Sequence, residues 1–167
     1  QATQLVNNAG SVNFTAGRLY SIFTWQPIDN FQAEAGLDAV RLDTSNTSVE
    51  TRVNPRVGVG FAPIDGQWLR AAWRRDTELP SSFTLAPVAT LGLVPNSIPL
   101  LLAGHKETAA LRYDAEWTSQ IFTSVEYQRQ RASGLRVGVP DTLETFDLAK
   151  ARLDTLSASA NLWLTHG

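Results

Sequence analysis

The stretch Phe31-Gln32-Ala33-Glu34-Ala35-Gly36-Leu37-Asp38-Ala39 decides the fold. Phe31, Ala33, Ala35, Leu37 and Ala39 fall on one side of an extended chain, and Gln32, Glu34, Gly36 and Asp38 on the other. A period of two is the signature of a strand with one apolar and one polar face. The same pattern continues outward from it. Val53, Pro55, Val57, Val59 and Phe61 alternate with Arg52, Asn54, Arg56, Gly58 and Gly60, and Leu69, Ala71 and Trp73 oppose Arg70, Ala72 and Arg74. Ala109, Leu111, Tyr113, Ala115 and Trp117 oppose Thr108, Ala110, Arg112, Asp114 and Glu116. Ile121, Thr123, Val125 and Tyr127 then oppose Ser124, Glu126, Gln128 and Gln130. Leu156, Ala158, Ala160, Leu162 and Leu164 oppose Ser157, Ser159 and Asn161, with Trp163 on the polar side. Arg18 to Gln26 is strand-like without assignable faces, and Ala2 to Asn8 is a candidate short first strand. The pattern predicts an all-β protein, an antiparallel meander of about seven or eight strands.

The connections predict what surrounds those strands. Short turns fall at Pro27-Ile28-Asp29-Asn30, Pro63-Ile64-Asp65-Gly66 and Thr118-Ser119-Gln120, where Pro, Asp, Asn and Gly supply turn geometry. Longer connections are expected from Asp43 to Thr51, Asp76 to Glu107 and Ala132 to about Arg152. Alternating short and long connections between strands of about ten residues is how transmembrane β-barrels are built, with short periplasmic turns and long outer loops. Trp25 and Phe31, Phe61 and Trp68, and Trp117 and Phe122 gather beside the short turns, as an interfacial aromatic girdle would.

Composition narrows the classes. The 167 residues are 43% hydrophobic and only 18% charged, below the roughly 25% charge of ordinary soluble domains. Five Trp, seven Phe and three Tyr argue against disorder. Fourteen basic residues against sixteen acidic ones, without a basic run, argue against nucleic-acid binding. With no cysteine, disulfide scaffolds, iron–sulfur clusters and thiol nucleophiles are excluded. No apolar run reaches the length of a transmembrane helix: Leu91 to Gly104 is interrupted by Pro95 and Pro99. The first residues carry no signal-peptide pattern.

A soluble β-sandwich or small β-barrel also has an apolar face. Against it, the apolar faces here are rich in Ala, which fills a core poorly, and the polar faces carry Arg while Lys106 and Lys150 fall in the expected loops. Read as a lumen, the polar faces form a charge ladder of Glu34, Asp38, Arg52, Arg56, Arg70, Arg74, Arg112, Asp114, Glu116 and Glu126. Such groups are expected to pair across neighbouring strands, because unpaired polar groups are costly away from water. The arginines Arg52, Arg56, Arg70 and Arg74 are the part expected to favour anions. The apolar connection between Asp76 and Glu107 reads either as a segment folded inward or outward, or as continuing strands.

Chemistry is thinly represented. His105 and His166 are the only histidines, without metal-ligand spacing. No Gly-x-Ser-x-Gly elbow occurs, and the glycines of Val57-Gly58-Val59-Gly60 alternate within a strand instead of forming a phosphate loop. No catalytic residue, metal or cofactor is predicted, and no enzyme.

Asn54-Pro55-Arg56-Val57-Gly58-Val59-Gly60-Phe61-Ala62-Pro63, followed by Leu69-Arg70-Ala71-Ala72-Trp73-Arg74-Arg75 and Pro80, resembles the barrel strands of TonB-dependent outer-membrane receptors. With Thr84-Leu85-Ala86-Pro87 and Arg112-Tyr113, the region also resembles the C-terminal barrels of outer-membrane proteins carrying tetratricopeptide repeats, some of which export polysaccharide. The resemblance covers Asn54 to Trp117. This chain has no plug or repeat domain, too few strands for such a receptor, and ends Leu164-Thr165-His166-Gly167 without the usual terminal aromatic. Residues 1–167 are therefore expected to form one barrel domain or a segment of a larger barrel.

The expected role is transport or export of a solute or polymer across the Gram-negative outer membrane. The expected partners are the lipid bilayer and the remaining strands or other chains of a larger barrel, with no nucleic acid. A small closed barrel with a structural or adhesive role, or a soluble binding module, are the alternatives.

Overall fold

A computed structural model describes residues 2–7, 10–44, 47–77, 89–95, 105–138 and 145–164, with side chains over 17–41, 51–77, 89–95, 105–133 and 150–164. The chain is all-β: β1 (Ala2–Asn7), β2 (Gly10–Ile28), β3 (Phe31–Thr44), β4 (Thr47–Ile64), β5 (Gln67–Thr77), β6 (His105–Thr118), β7 (Ile121–Gly138) and β8 (Thr145–Leu162). They form a single sheet in sequence order, each strand antiparallel to the next. Among the described residues no helix is long and apolar enough to cross a membrane, which says nothing of strands.

Most strands exceed the expected length. β3 and β4 stay paired out to Thr44↔Thr47, and β7 and β8 out to Gly138↔Thr145. The expected connections Asp43 to Thr51 and Ala132 to Arg152 are thus largely strand. The reason is that backbone pairing needs no apolar face: where alternation fades into polar residues, ladder hydrogen bonds alone carry the strands on. Only the β5–β6 connection stays long. Of it, 89–95 is described, while Pro80, Thr84 to Pro87 and Pro99 lie outside the described residues.

The register lays the side chains out in rows across the sheet. One row runs Trp25, Ala33, Val59, Ala71, Leu111, Tyr127, Leu156; the next runs Phe23, Ala35, Val57, Trp73, Ala109, Arg129, Asp154. All point to one face, and that face is open. Leu37 is 56% exposed, Val57 49%, Leu111 48% and Leu162 62%. Among the described residues, the buried apolar side chains are Val40, Leu93, Ala115 and Ala132 only. Buried polar ones are more numerous, including Asp38, Asn54, Arg56, Arg74, Lys106, Thr108, Gln128 and Gln130. The burial of an ordinary water-soluble sheet is inverted.

Candidate functional site: a polar face crossed by a folded-back segment

The polar face is organised around arginines held by carboxylates. Arg18 Nε donates to Asp38 Oδ1 at 2.8 Å, joining β2 to β3. Arg56 on β4 lies 3.9 Å from Glu34 on β3. Arg70 on β5 reaches Asp114 on β6 at 3.2 Å, and Arg112 spans Asp114 at 2.8 Å and Glu126 on β7 at 3.4 Å. Arg74 pairs with Asp76 along β5. The register sets Arg56 opposite Arg74 and Arg70 opposite Arg112. Directly opposed like charges destabilise a sheet, so the carboxylates Glu34, Asp76, Asp114 and Glu126 are what make these rows tolerable.

Glycines make the room. A Cβ on Gly36 would stand 3.0 Å from Arg56 Nε, so the guanidinium lies across a strand that has no side chain there. A Cβ on Gly60 would meet Trp68 at 3.6 Å and Arg70 at 3.7 Å. Trp68 therefore rests on the polar face, with the Arg70 guanidinium 5.6 Å from its ring centroid.

Gly58 carries the most specific feature. A Cβ there would come within 3.0 Å of both Leu91 Cδ1 and Thr90 Cγ2. Part of the β5–β6 connection has folded back onto the polar face. Thr90 and Leu93 bridge one another through paired backbone hydrogen bonds of 3.1 and 2.9 Å, with Leu91 (φ 49°) and Gly92 (φ 77°) at the tip. Positive φ at both tip residues makes a tight reversal, and Gly92 meets that demand without strain.

Three strands pin this segment. The Leu91 N–H donates to Glu34 Oε2 on β3 at 3.4 Å, Arg56 Nη1 donates to the Ala89 carbonyl at 3.4 Å, and Gln128 Nε2 on β7 donates to the Val94 carbonyl at 2.8 Å. Between the pins, Leu93 (3% exposed) and Thr90 (0%) sit over Ala72, Thr108 and Ala110. They leave a gap of about 10 Å³, no larger than a single water requires. The segment crosses the polar face from β3 to β7 and covers Arg56 and Arg74, which are 5% and 7% exposed.

Beside it the face is more open. Arg112, Asp114, Phe122, Ser124 and Ser159 line a cavity of about 320 Å³ near the short turns.

The expected site residues divide accordingly. Glu34, Asp38, Arg56, Arg70, Arg74, Arg112, Asp114 and Glu126 lie in the network, and Arg52 is half-buried on the same face. Glu116 is exposed, and its backbone closes the turn by donating to the Gly66 carbonyl at 2.8 Å. Trp25, Phe31, Phe61 and Trp117 take the apolar side, with Trp25 edge-on to Phe31 at 5.9 Å. Trp68 and Phe122 take the polar side. Sequence reasoning missed Arg18 and Asp76, for want of a face assignment and of a strand end. It also missed Gln128 as a clamp, for which no sequence signal exists.

Among the described residues, no group of three or more His, Asp or Glu side chains is placed to hold a metal ion. His166 lies outside the described residues. No protein-family model matches the chain, and no curated protein matches it.

Proposed function

We propose that the chain is an outer-membrane β-barrel, or a segment of one of the TonB-dependent receptor or tetratricopeptide-repeat-linked type, serving transport or export of a solute or polymer. The observation that carries this reading is the inverted burial: exposed apolar side chains on one face, and buried, paired charges on the other. On β3, β4 and β6 the apolar runs Phe31–Ala39, Val53–Phe61 and Ala109–Trp117 each cover nine positions, and on β8 Leu156–Leu162 covers seven, with Trp163 and Leu164 following the strand. At ~3.3 Å per residue and a tilt of ~35–45°, a nine-position run stands roughly 20–25 Å tall, the height of a barrel's lipid-facing band. The next outward-facing residues are Arg41, Thr51, Glu107 and Asp154, so the bands end in polar side chains.

On this reading the polar face lines an aqueous conduit, and Ala89–Pro95 narrows it. The segment is anchored by side chains of β3, β4 and β7 and so acts as a fixed constriction. Arg70 and Arg112 are the more open guanidiniums beside it, with side chains 30% and 32% exposed, and would set which solutes pass. β8 is an 18-residue edge of the sheet, where further strands of the barrel would pair.

Fractionation of a Gram-negative host expressing the protein tests the reading. The expected result is recovery with outer membranes, resistance to alkaline carbonate and release only by detergent. Recovery of folded protein in the aqueous fraction would overturn it and favour a soluble binding module.

A further inference from the structure

Above the apolar belt, the same face of β5 to β8 carries a dense row of charge. Arg75, Glu107, Arg131 and Arg152 stand directly opposite one another in turn across the four strands. Lys150 opposes Ser133, and Arg129 opposes Asp154 one row closer to the belt. Five cations (Arg75, Arg129, Arg131, Lys150, Arg152) thus meet two carboxylates (Glu107, Asp154). Both carboxylates are already engaged: Glu107 by Arg75 at 2.6 Å, Asp154 by Arg129 at 2.8 Å and Arg152 at 2.6 Å. Among the described residues, Arg131 and Lys150 have no carboxylate partner. Arg131 faces Arg152 across β7 and β8, an arrangement that costs stability unless an anion bridges the two. Arg75, Glu107, Arg131, Lys150 and Arg152, with Ser133, line a cavity of about 640 Å³.

We infer that Arg131, Lys150 and Arg152, with Ser133, bind the phosphate headgroup of a membrane lipid whose acyl chains lie along the apolar belt below. The inference rests on the membrane reading. Charge complementarity and continuity together choose the occupant. A phosphate neutralises the excess cations and bridges the opposed guanidiniums, each of which presents a planar fork that matches phosphate oxygens. Beyond the Arg129–Asp154 row, two rows beneath Arg131 and Arg152, Tyr127, Leu156 and Leu111 offer exposed apolar surface within reach of an acyl chain, which a soluble anion would not use. Tyr127 donates to Asp154 at 2.7 Å and so ties the belt to the charged rim.

The test reconstitutes the protein into vesicles of mixed phosphatidylcholine and phosphatidic acid, extracts it mildly, and quantifies the retained lipids by mass spectrometry. Phosphatidic acid should be enriched about tenfold or more over its share of the vesicle, as expected when several surface cations act on one headgroup. The double variant Arg131→Ser/Lys150→Ser should lose that enrichment. Arg41→Ser, which removes an outward-facing cation on β3, should keep it. Should the double variant fail to insert, Lys150→Ser alone, at an exposed position, should lower the enrichment. Equal retention of the two lipids, or enrichment unchanged in the variants, overturns the inference. Displacement of the lipid by millimolar inorganic phosphate also overturns it, by assigning the site to a soluble anion. A wild-type protein that does not float with the vesicles refutes the membrane reading itself, whereas one that floats without enrichment refutes only the lipid site.

Discussion

Arg56 and Arg74 on the polar face and Arg131 and Arg152 at the rim of the apolar face are cross-strand arginine pairs of the same kind, with opposite surroundings. The first pair lies under a folded-back segment, with Glu34 and Asp76 beside it and the Ala89 carbonyl as an additional acceptor. The second is exposed, and the carboxylate nearest to Arg152 is shared with Arg129. Like charges placed opposite one another need a counter-charge. On the polar face the chain supplies it; at the rim, among the described residues, five cations share two carboxylates. Arginine on the polar face therefore seats the folded-back segment, while arginine at the end of the apolar face is left with the smaller share of counter-charge among the described residues.

An arginine placed on either face at neighbouring positions should have very different costs. Val125 lies on the apolar face beside Tyr113 and Ala158, and Ser124 on the polar face beside Ser159. Val125→Arg should cost about 2–4 kcal/mol in urea unfolding from vesicles, the penalty of a cation near the lipid midplane. Ser124→Arg should fall within about 1 kcal/mol of wild type, since Asp114 and Glu126 stand nearby. Equal effects at both positions would end the two-face description.

Glu34→Gln removes a carboxylate from beneath both the segment and Arg56. The expected loss is about 1–3 kcal/mol, because a largely buried carboxylate loses its charge beside Arg56 and its charge-assisted bond from the Leu91 N–H is weakened. Faster amide exchange at Leu91 and Leu93 should accompany it, and protection there unchanged from wild type would deny the pinning. Gly58→Ala forces Leu91 and Thr90 to yield a few tenths of an ångström, at a cost of about 1 kcal/mol. In a conductance measurement it should alter single-channel current without altering insertion. Glu107→Gln at the rim should be the mildest, about 0–1 kcal/mol, since its partner Arg75 is well solvated.

The sheet was legible because its signal is local. Alternation from Phe31 to Ala39 assigns every side chain of that strand to a face, and pairing carries the assignment to neighbours without tertiary information. That acidic and basic groups pair across neighbouring strands followed from adjacency in the meander; which ones meet, such as Glu34 with Arg56 and Arg112 with Glu126, depends on the register. What stayed hidden was what leaves the plane of the sheet. The apolar character of the connection left folding inward, folding outward and continuing strands equally open, and Gly58 looks like any strand glycine until the segment is seen resting on it. Trp68 and Phe122 were assigned to a girdle by their closeness to turns; their parity in the alternation, shared with Arg70 and Ser124, already marked the polar side. Strand ends were obscured because a ladder continues where the apolar pattern stops.

We propose that the apolar face meets lipid while the polar face meets water, and labels on the two faces test this directly. Because the chain has no cysteine, single spin labels can be placed at will through Leu37→Cys, Val57→Cys, Leu111→Cys and Leu162→Cys on one face, and Ala110→Cys and Ser124→Cys on the other. In vesicles, the first four labels should collide readily with oxygen and poorly with a water-soluble nickel chelate, and the last two should not share that lipid signature. Labels at Leu37, Val57, Leu111 and Leu162 that are open to the chelate, or shielded from both reagents as in a protein core, would show that this face does not meet lipid.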